Sequence, residues 1–169
     1  MKPAVMYLDI DDTLLTDNES YWFEVHGEDA WYLMSHSELA APGAGDFLRW
    51  ATQHYEVRFL SAKTASGFMD PSVADRLASA FGLEPEFIAS IPCCAWGNNK
   101  LDGIDFDDPR PWIWIEDGLL SEEKEELKRR GLYDRYLRCN VTQDPYALMR
   151  LHQVLMQLDT PGILRGLRF

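Results

Sequence analysis

Basic residues are scarce in this chain: 16 Lys and Arg stand against 28 Asp and Glu, a formal net charge of −12 over 169 residues. Nucleic acid and anionic membrane both call for a positive footprint, so the balance argues against either as the main partner. It leaves room for a small basic patch, and an acidic cluster that binds metal would add to the total. Long apolar runs are also missing. None approaches the ~20 residues that span a bilayer, and the N-terminus lacks the basic-then-apolar layout of a signal peptide. Cysteine is limited to three, two of them adjacent as Cys93 and Cys94, a poor start for a disulfide framework. Their spacing with the four histidines matches no zinc pattern. The expectation is three free thiols in a reducing cytoplasm. Repeats, low-complexity tracts and linkers are absent as well. Hydrophobic content of 46% and charged content of 26% are ordinary for a globular protein. The length suits one domain with its own core, expected to run over 1–159 and to be followed by a tail over 160–169.

What is present is organised around Ala4 to Leu15. Five largely apolar residues, Ala4-Val5-Met6-Tyr7-Leu8, run into Asp9, Asp11 and Asp12. A short apolar run bounded by turn formers reads as a buried central strand. In extended chain, side chains at i and i+2 point the same way, so Asp9 and Asp11 are expected to leave the strand end together. Two such carboxylates repel, and one has its pKa raised unless a cation sits between them. Hard cations such as Mg²⁺ are commonly held by one or two carboxylates plus phosphate oxygens. The same residues also suit a turn in which Asp side chains satisfy loop N–H groups.

Further along, strands are expected at Tyr55–Leu60, Glu86–Ile91, Trp112–Ile115 and Tyr136–Val141. Helices are expected over Ala44–His54, Pro71–Phe81, from Ser121 to Gly131, and from Tyr146 to Leu158. Strand–helix alternation predicts a parallel sheet with right-handed crossovers, whose ligands bind at the carboxyl ends of the strands. Asp9, Asp11 and Ser61 would all emerge there. Between Thr16 and Ala41, Tyr21-Trp22-Phe23 and Trp31-Tyr32 flank His26-Gly27-Glu28-Asp29, which reads as a β-hairpin. Its aromatics would pack it onto the body, form a flap over the site, or do both. It is too short for a separate cap domain.

Asp9-Ile10-Asp11-Asp12-Thr13-Leu14, closing an apolar strand, resembles the first motif, DxDx[TV][LV], of the haloacid dehalogenase (HAD) superfamily. Ser61, alone at the end of the second strand, is similar to the second motif. Lys100 lies at about the distance of the third, with Lys63 and Arg110 as substitutes. Trp112-Ile113-Trp114-Ile115 followed by Glu116-Asp117 resembles the fourth, in which the acidic pair is usually Asp-Asp. The Phe59–Leu77 run loosely resembles the capless phosphatase branch.

That resemblance implies an α/β, three-layer Rossmann-like fold with a central parallel five-stranded sheet, no cap, and a small aromatic flap after the first strand. It also implies a Mg²⁺-dependent phosphatase acting on a phosphorylated substrate of unknown size. Asp9 would be the nucleophile that forms an aspartyl-phosphate, and Asp11 the acid and base. Ser61 and Lys100 would steady the phosphoryl group. Metal would be held by the Asp9 carboxylate, the Asp11 backbone carbonyl and Asp117, with Glu116 in support. Two alternatives stand beside it: a capless phosphatase of nucleic-acid ends, and a weakly active binding module built around the altered Glu116.

Overall fold

The computed structural model describes residues 2–158. Its centre is β1 (Val5–Leu8), every residue of which is buried. Full burial fits the unbroken apolar run, because β1 has a parallel neighbour on each side: β2 (Glu56–Phe59) and β3 (Trp112–Glu116). β4 (Tyr136–Arg138) extends the far edge, giving the parallel order β2-β1-β3-β4.

Alternation along the strands sorts the core into two layers. Met6 and Leu8, with Ile113 and Ile115, face Phe47, Leu48 and Leu77, together with Leu148 and Leu155. The helices on that side are α3 (Ala44–His54), α4 (Pro71–Phe81) and α7 (Ala147–Leu158). Val5 and Tyr7 turn the other way with Trp112 and Trp114, against Leu101, Ile104 and Leu127. Leu127 belongs to α6 (Ser121–Arg129). Each fully buried large side chain contributes roughly 1.5–3 kcal/mol, and both layers have several.

Local signals set the helix ends. The Asp70 side chain accepts from Ser72 N at the start of α4, Pro71 occupies the first turn, and Gly82 closes it at φ 65°. Gly45 in α3 allows a close approach, since a Cβ there would lie 2.3 Å from the Phe81 carbonyl oxygen. The expected helices therefore appear in place, and no helix among the described residues is long and apolar enough to cross a membrane.

Two expectations need correction. The sheet has four strands among the described residues, not five, because Glu86–Ile91 forms no strand: Pro85–Ala89 is a short helix, α5. Pro85 sits in its first turn, where a missing N–H costs nothing. The chain then meets the edge of β2 in one isolated parallel bridge, Cys93 with Phe59.

The expected β-hairpin is also replaced. α1 (Glu19–His26), a 3₁₀ turn (Gly27–Asp29) and α2 (Ala30–His36) form a helical pair. Asn18 caps α1 by accepting from Tyr21 N at 2.9 Å. The aromatics then meet at helical spacing, with Trp22 against His26 and Tyr32 stacked on His36. Trp22 alone is driven inward, its indole N–H donating to the Thr16 carbonyl at 2.9 Å. The expected tail over 160–169 lies outside the described residues.

Candidate active site

Parallel register brings the acidic residues together. Leu8 of β1 pairs with Ile115 of β3, so Asp9 and Glu116 emerge side by side at the carboxyl edge of the sheet. Asp9 is 3% exposed and Glu116 likewise 3%. Asp9, Glu116 and Asp117 each offer a carboxylate oxygen, all within 4.8 Å of one another. Lys100 reaches this cluster from the loop before β3: its Nζ lies 2.9 Å from Asp9 Oδ1 and 2.5 Å from Glu116 Oε2.

The electrostatics follow from burial. Desolvation pushes the Asp9 carboxyl above its ordinary value, with Lys100 pulling the other way. Glu116 is pushed up most by burial, with Asp117 and Asp9 adding to it and Lys100 opposing. Burial works against the Lys100 charge, but Asp9 and Glu116 more than compensate and hold its pKa up. Three carboxyl groups meet here, and hard oxygen donors this close suit a small divalent cation. The donor set therefore fits Mg²⁺.

Where the folded state keeps a carboxyl protonated to higher pH than the unfolded state, stability falls as pH rises above the unfolded value, 4.5 for Glu116. Metal-free protein should therefore melt at lower temperature at about pH 8 than at about pH 5.5, and Glu116→Gln should flatten the difference. Thermal melts in a chelator test this. A variant slope equal to that of wild type would remove Glu116 as the cause.

Asp11 is placed differently from the i, i+2 expectation. β1 ends at Leu8, so extended geometry does not carry through to residue 11. Asp9 turns to Lys100, whereas Asp11 Oδ1 lies 3.3 Å from Lys63 Nζ. Lys63 is also 3.1 Å from Glu38 Oε1, which the chain supplies just after α2. Each carboxylate thus has its own ammonium, and that separation relieves their repulsion. Burial raises the Asp11 pKa despite the pull of Lys63. A cavity of about 220 Å³ opens beside this pair, lined among others by Asp12, Asp17, Ser37 and Glu38.

Ser61 is fully buried and caps the 3₁₀ turn Ala62–Thr64, its Oγ accepting from Lys63 N at 3.2 Å. Lys63 is carried by that turn. Arg110 is not at the site. It pairs with Glu56 at the start of β2 and with Asp108, at the opposite end of the sheet. Lys100 is thus the cation on Asp9, and Lys63 serves Asp11.

Several further residues contribute to the site. Thr13, buried, donates from Oγ1 to Asp9 Oδ2 at 3.2 Å. Asp12 takes a left-handed φ of 61°, and its carbonyl accepts from Val141 N at 2.8 Å. Asp tolerates that conformation better than most residues, and it ties the loop after β1 to the one after β4. Trp96 donates from its indole N–H to the Ser61 carbonyl at 3.0 Å. Thr13 was visible as part of the motif. Trp96 and Glu38 act through contacts distant in sequence, for which no local pattern exists.

No protein-family profile matches the chain, and no curated protein matches it. Among solved structures it is similar to "Hydrolase, haloacid dehalogenase-like family protein SP0104 from Streptococcus pneumoniae". That likeness covers 89% of this chain and 91% of the other, with 15% identity and a TM-score of 0.47.

Proposed function

We propose that the protein is a HAD-like phosphatase that hydrolyses phosphomonoesters through an aspartyl-phosphate on Asp9, with Mg²⁺ as cofactor. The observation that carries this reading is the buried Asp9 carboxylate at the end of the central strand, gripped by Lys100 and Thr13 inside the Asp9–Glu116–Asp117 cluster. A carboxylate nucleophile divides one difficult hydrolysis into two easier steps. In the first, an Asp9 oxygen bonds to phosphorus as the ester P–O bond breaks, and Asp11 gives its proton to the departing oxygen. In the second, water attacks phosphorus, Asp11 takes its proton, and the Asp9–phosphorus bond breaks to release phosphate.

The raised pKa of Asp11 suits the acid role, since more of it is protonated near neutral pH than an ordinary carboxyl would be. Lys100 neutralises charge at the phosphoryl group, the main requirement of such transfers. Ser61 sets the turn that carries Lys63, and its hydroxyl would donate to a phosphoryl oxygen. The Asp9 and Asp117 carboxylates and the Asp11 carbonyl would hold Mg²⁺, with Glu116 in support. When bound, the ion would offset negative charge between nucleophile and phosphate.

The cavity beside Asp11 is where a leaving group would lie, and its carboxylates disfavour strongly anionic groups such as nucleic-acid ends. The insert over 16–41 reaches the site through Glu38, whereas Trp31 and Tyr32 are 61% and 66% exposed. Its part is to shape the mouth of this cavity.

Hydrolysis of para-nitrophenyl phosphate, with and without Mg²⁺, tests the reading. Turnover should require the metal, and Asp117→Asn should raise the Mg²⁺ concentration for half-maximal rate by at least about 10-fold. Metal-independent turnover, or an unchanged Mg²⁺ requirement in the variant, would refute the assignment of the ion to this cluster.

A further inference from the structure

Lys100 sits in a long irregular stretch. α5 ends at Ala89 and β3 begins at Trp112, and between them runs little regular structure beyond the 3₁₀ turn Lys100–Gly103. A lysine ammonium rides on a flexible four-carbon stem. Its head meets Asp9 and Glu116 reproducibly only if the backbone at residue 100 is held.

Glu123 holds it. This side chain, 3% exposed, stands in the first turn of α6. Its Oε2 accepts from Leu120 N at 2.9 Å, as a helix-capping carboxylate would. Its Oε1 does not serve the helix. It accepts from the backbone N–H of Lys100 at 2.9 Å, 23 positions upstream. One buried carboxylate thus joins the loop that follows Glu116-Asp117 to the loop that delivers the lysine. A cap alone would need only the first bond. Asn99 adds a local brace, accepting from Leu101 N at 3.0 Å.

We propose that Glu123 is a positioning residue: by pinning the Lys100 backbone to the start of α6, it sets the reach of the Lys100 ammonium to Asp9. The effect on turnover rests on the phosphatase reading. The anchor itself does not.

A double-mutant cycle tests the link. Glu123→Ala should lower kcat for para-nitrophenyl phosphate by roughly 10²-fold, the scale of a displaced catalytic group. In a Lys100→Met background the same substitution should cost less than about 2-fold, because a residue acting through the lysine has nothing left to act on. Equal losses in both backgrounds would overturn the proposal and leave Glu123 a structural cap. Glu123→Gln keeps the volume but offers one acceptor oxygen to two N–H groups, and is read by the same cycle should Glu123→Ala fail to fold.

Amide hydrogen exchange at Lys100 supplies the readout that is independent of turnover. Protection in wild type that is lost in the Glu123 variant supports the anchor, even if no phosphomonoester is hydrolysed; in that event it is the phosphatase reading that fails. Exchange at Lys100 as fast in wild type as in the variant overturns the anchor, whatever the turnover.

Discussion

Asp9→Asn is expected to lower kcat by at least about 10³-fold, since the amide offers no nucleophile for the phosphoryl group. The substitution keeps shape and volume, and the Thr13 hydroxyl can still donate to the amide oxygen. It also removes a carboxylate whose burial is unfavourable, as its raised pKa indicates. The fold should therefore persist, and the thermal melt should show it. Rapid-quench trapping adds a second check: labelled phosphate should become attached to wild type in an acid-stable, alkali-labile form and be absent from the variant. Substantial turnover by a folded Asp9→Asn protein would eliminate Asp9 as the nucleophile. Loss of activity with loss of fold would instead mark Asp9 as structural.

Lys100→Met is expected to damage both activity and stability. The lysine side chain is 14% exposed, and the side chains of its two partners are almost fully buried. Removing the ammonium leaves Asp9 and Glu116 facing each other without their counter-charge, a loss of about 3 kcal/mol by comparison with other broken buried pairs. For a domain of this size that is roughly 6–12 °C in Tm. The sign with pH is set by the carboxylates. Their folded-state pKa values rise further without the lysine, so the folded state binds more protons than the unfolded one and stability falls as pH rises. The deficit against wild type should be larger near pH 8 than near pH 5.5, and Mg²⁺ should recover part of it. A deficit that is the same at both pH values would mean that lost packing, not uncompensated charge, is responsible.

Two segments fold differently from what their residue types favour, each for an identifiable reason. Glu86–Ile91 looks like a strand by apolar content, but Pro85 places it in the first turn of a helix. Short apolar runs do not separate the two by periodicity. The aromatic stretch from Tyr21 to Tyr32 suits strands by residue type, yet the Asn18 cap and the i, i+4 stacking of Tyr32 on His36 support helices. In both places a helix-start signal, Pro85 in the first turn or the Asn18 cap, outweighed residue preference.

The sequence by itself determined the central strand, the parallel sheet implied by strand–helix alternation, and the carboxylates at the strand ends. Those features follow from hydrophobic period and chain direction, which are local. Only the tertiary structure decided which cation serves which carboxylate. Spacing favoured Lys100 over Lys63 and Arg110 without assigning any of them a partner, whereas register and loop path carry Lys100 to Asp9, Lys63 to Asp11, and Arg110 to Glu56 at the far end of the sheet. Glu123 belongs to the same class. Its position near a helix start is legible as a cap, whereas its bond to Lys100 spans 23 residues and depends on how two loops pack. Charge pairing of this kind falls off within a few ångströms, so it is set by the folded path of the chain and not by distance along it.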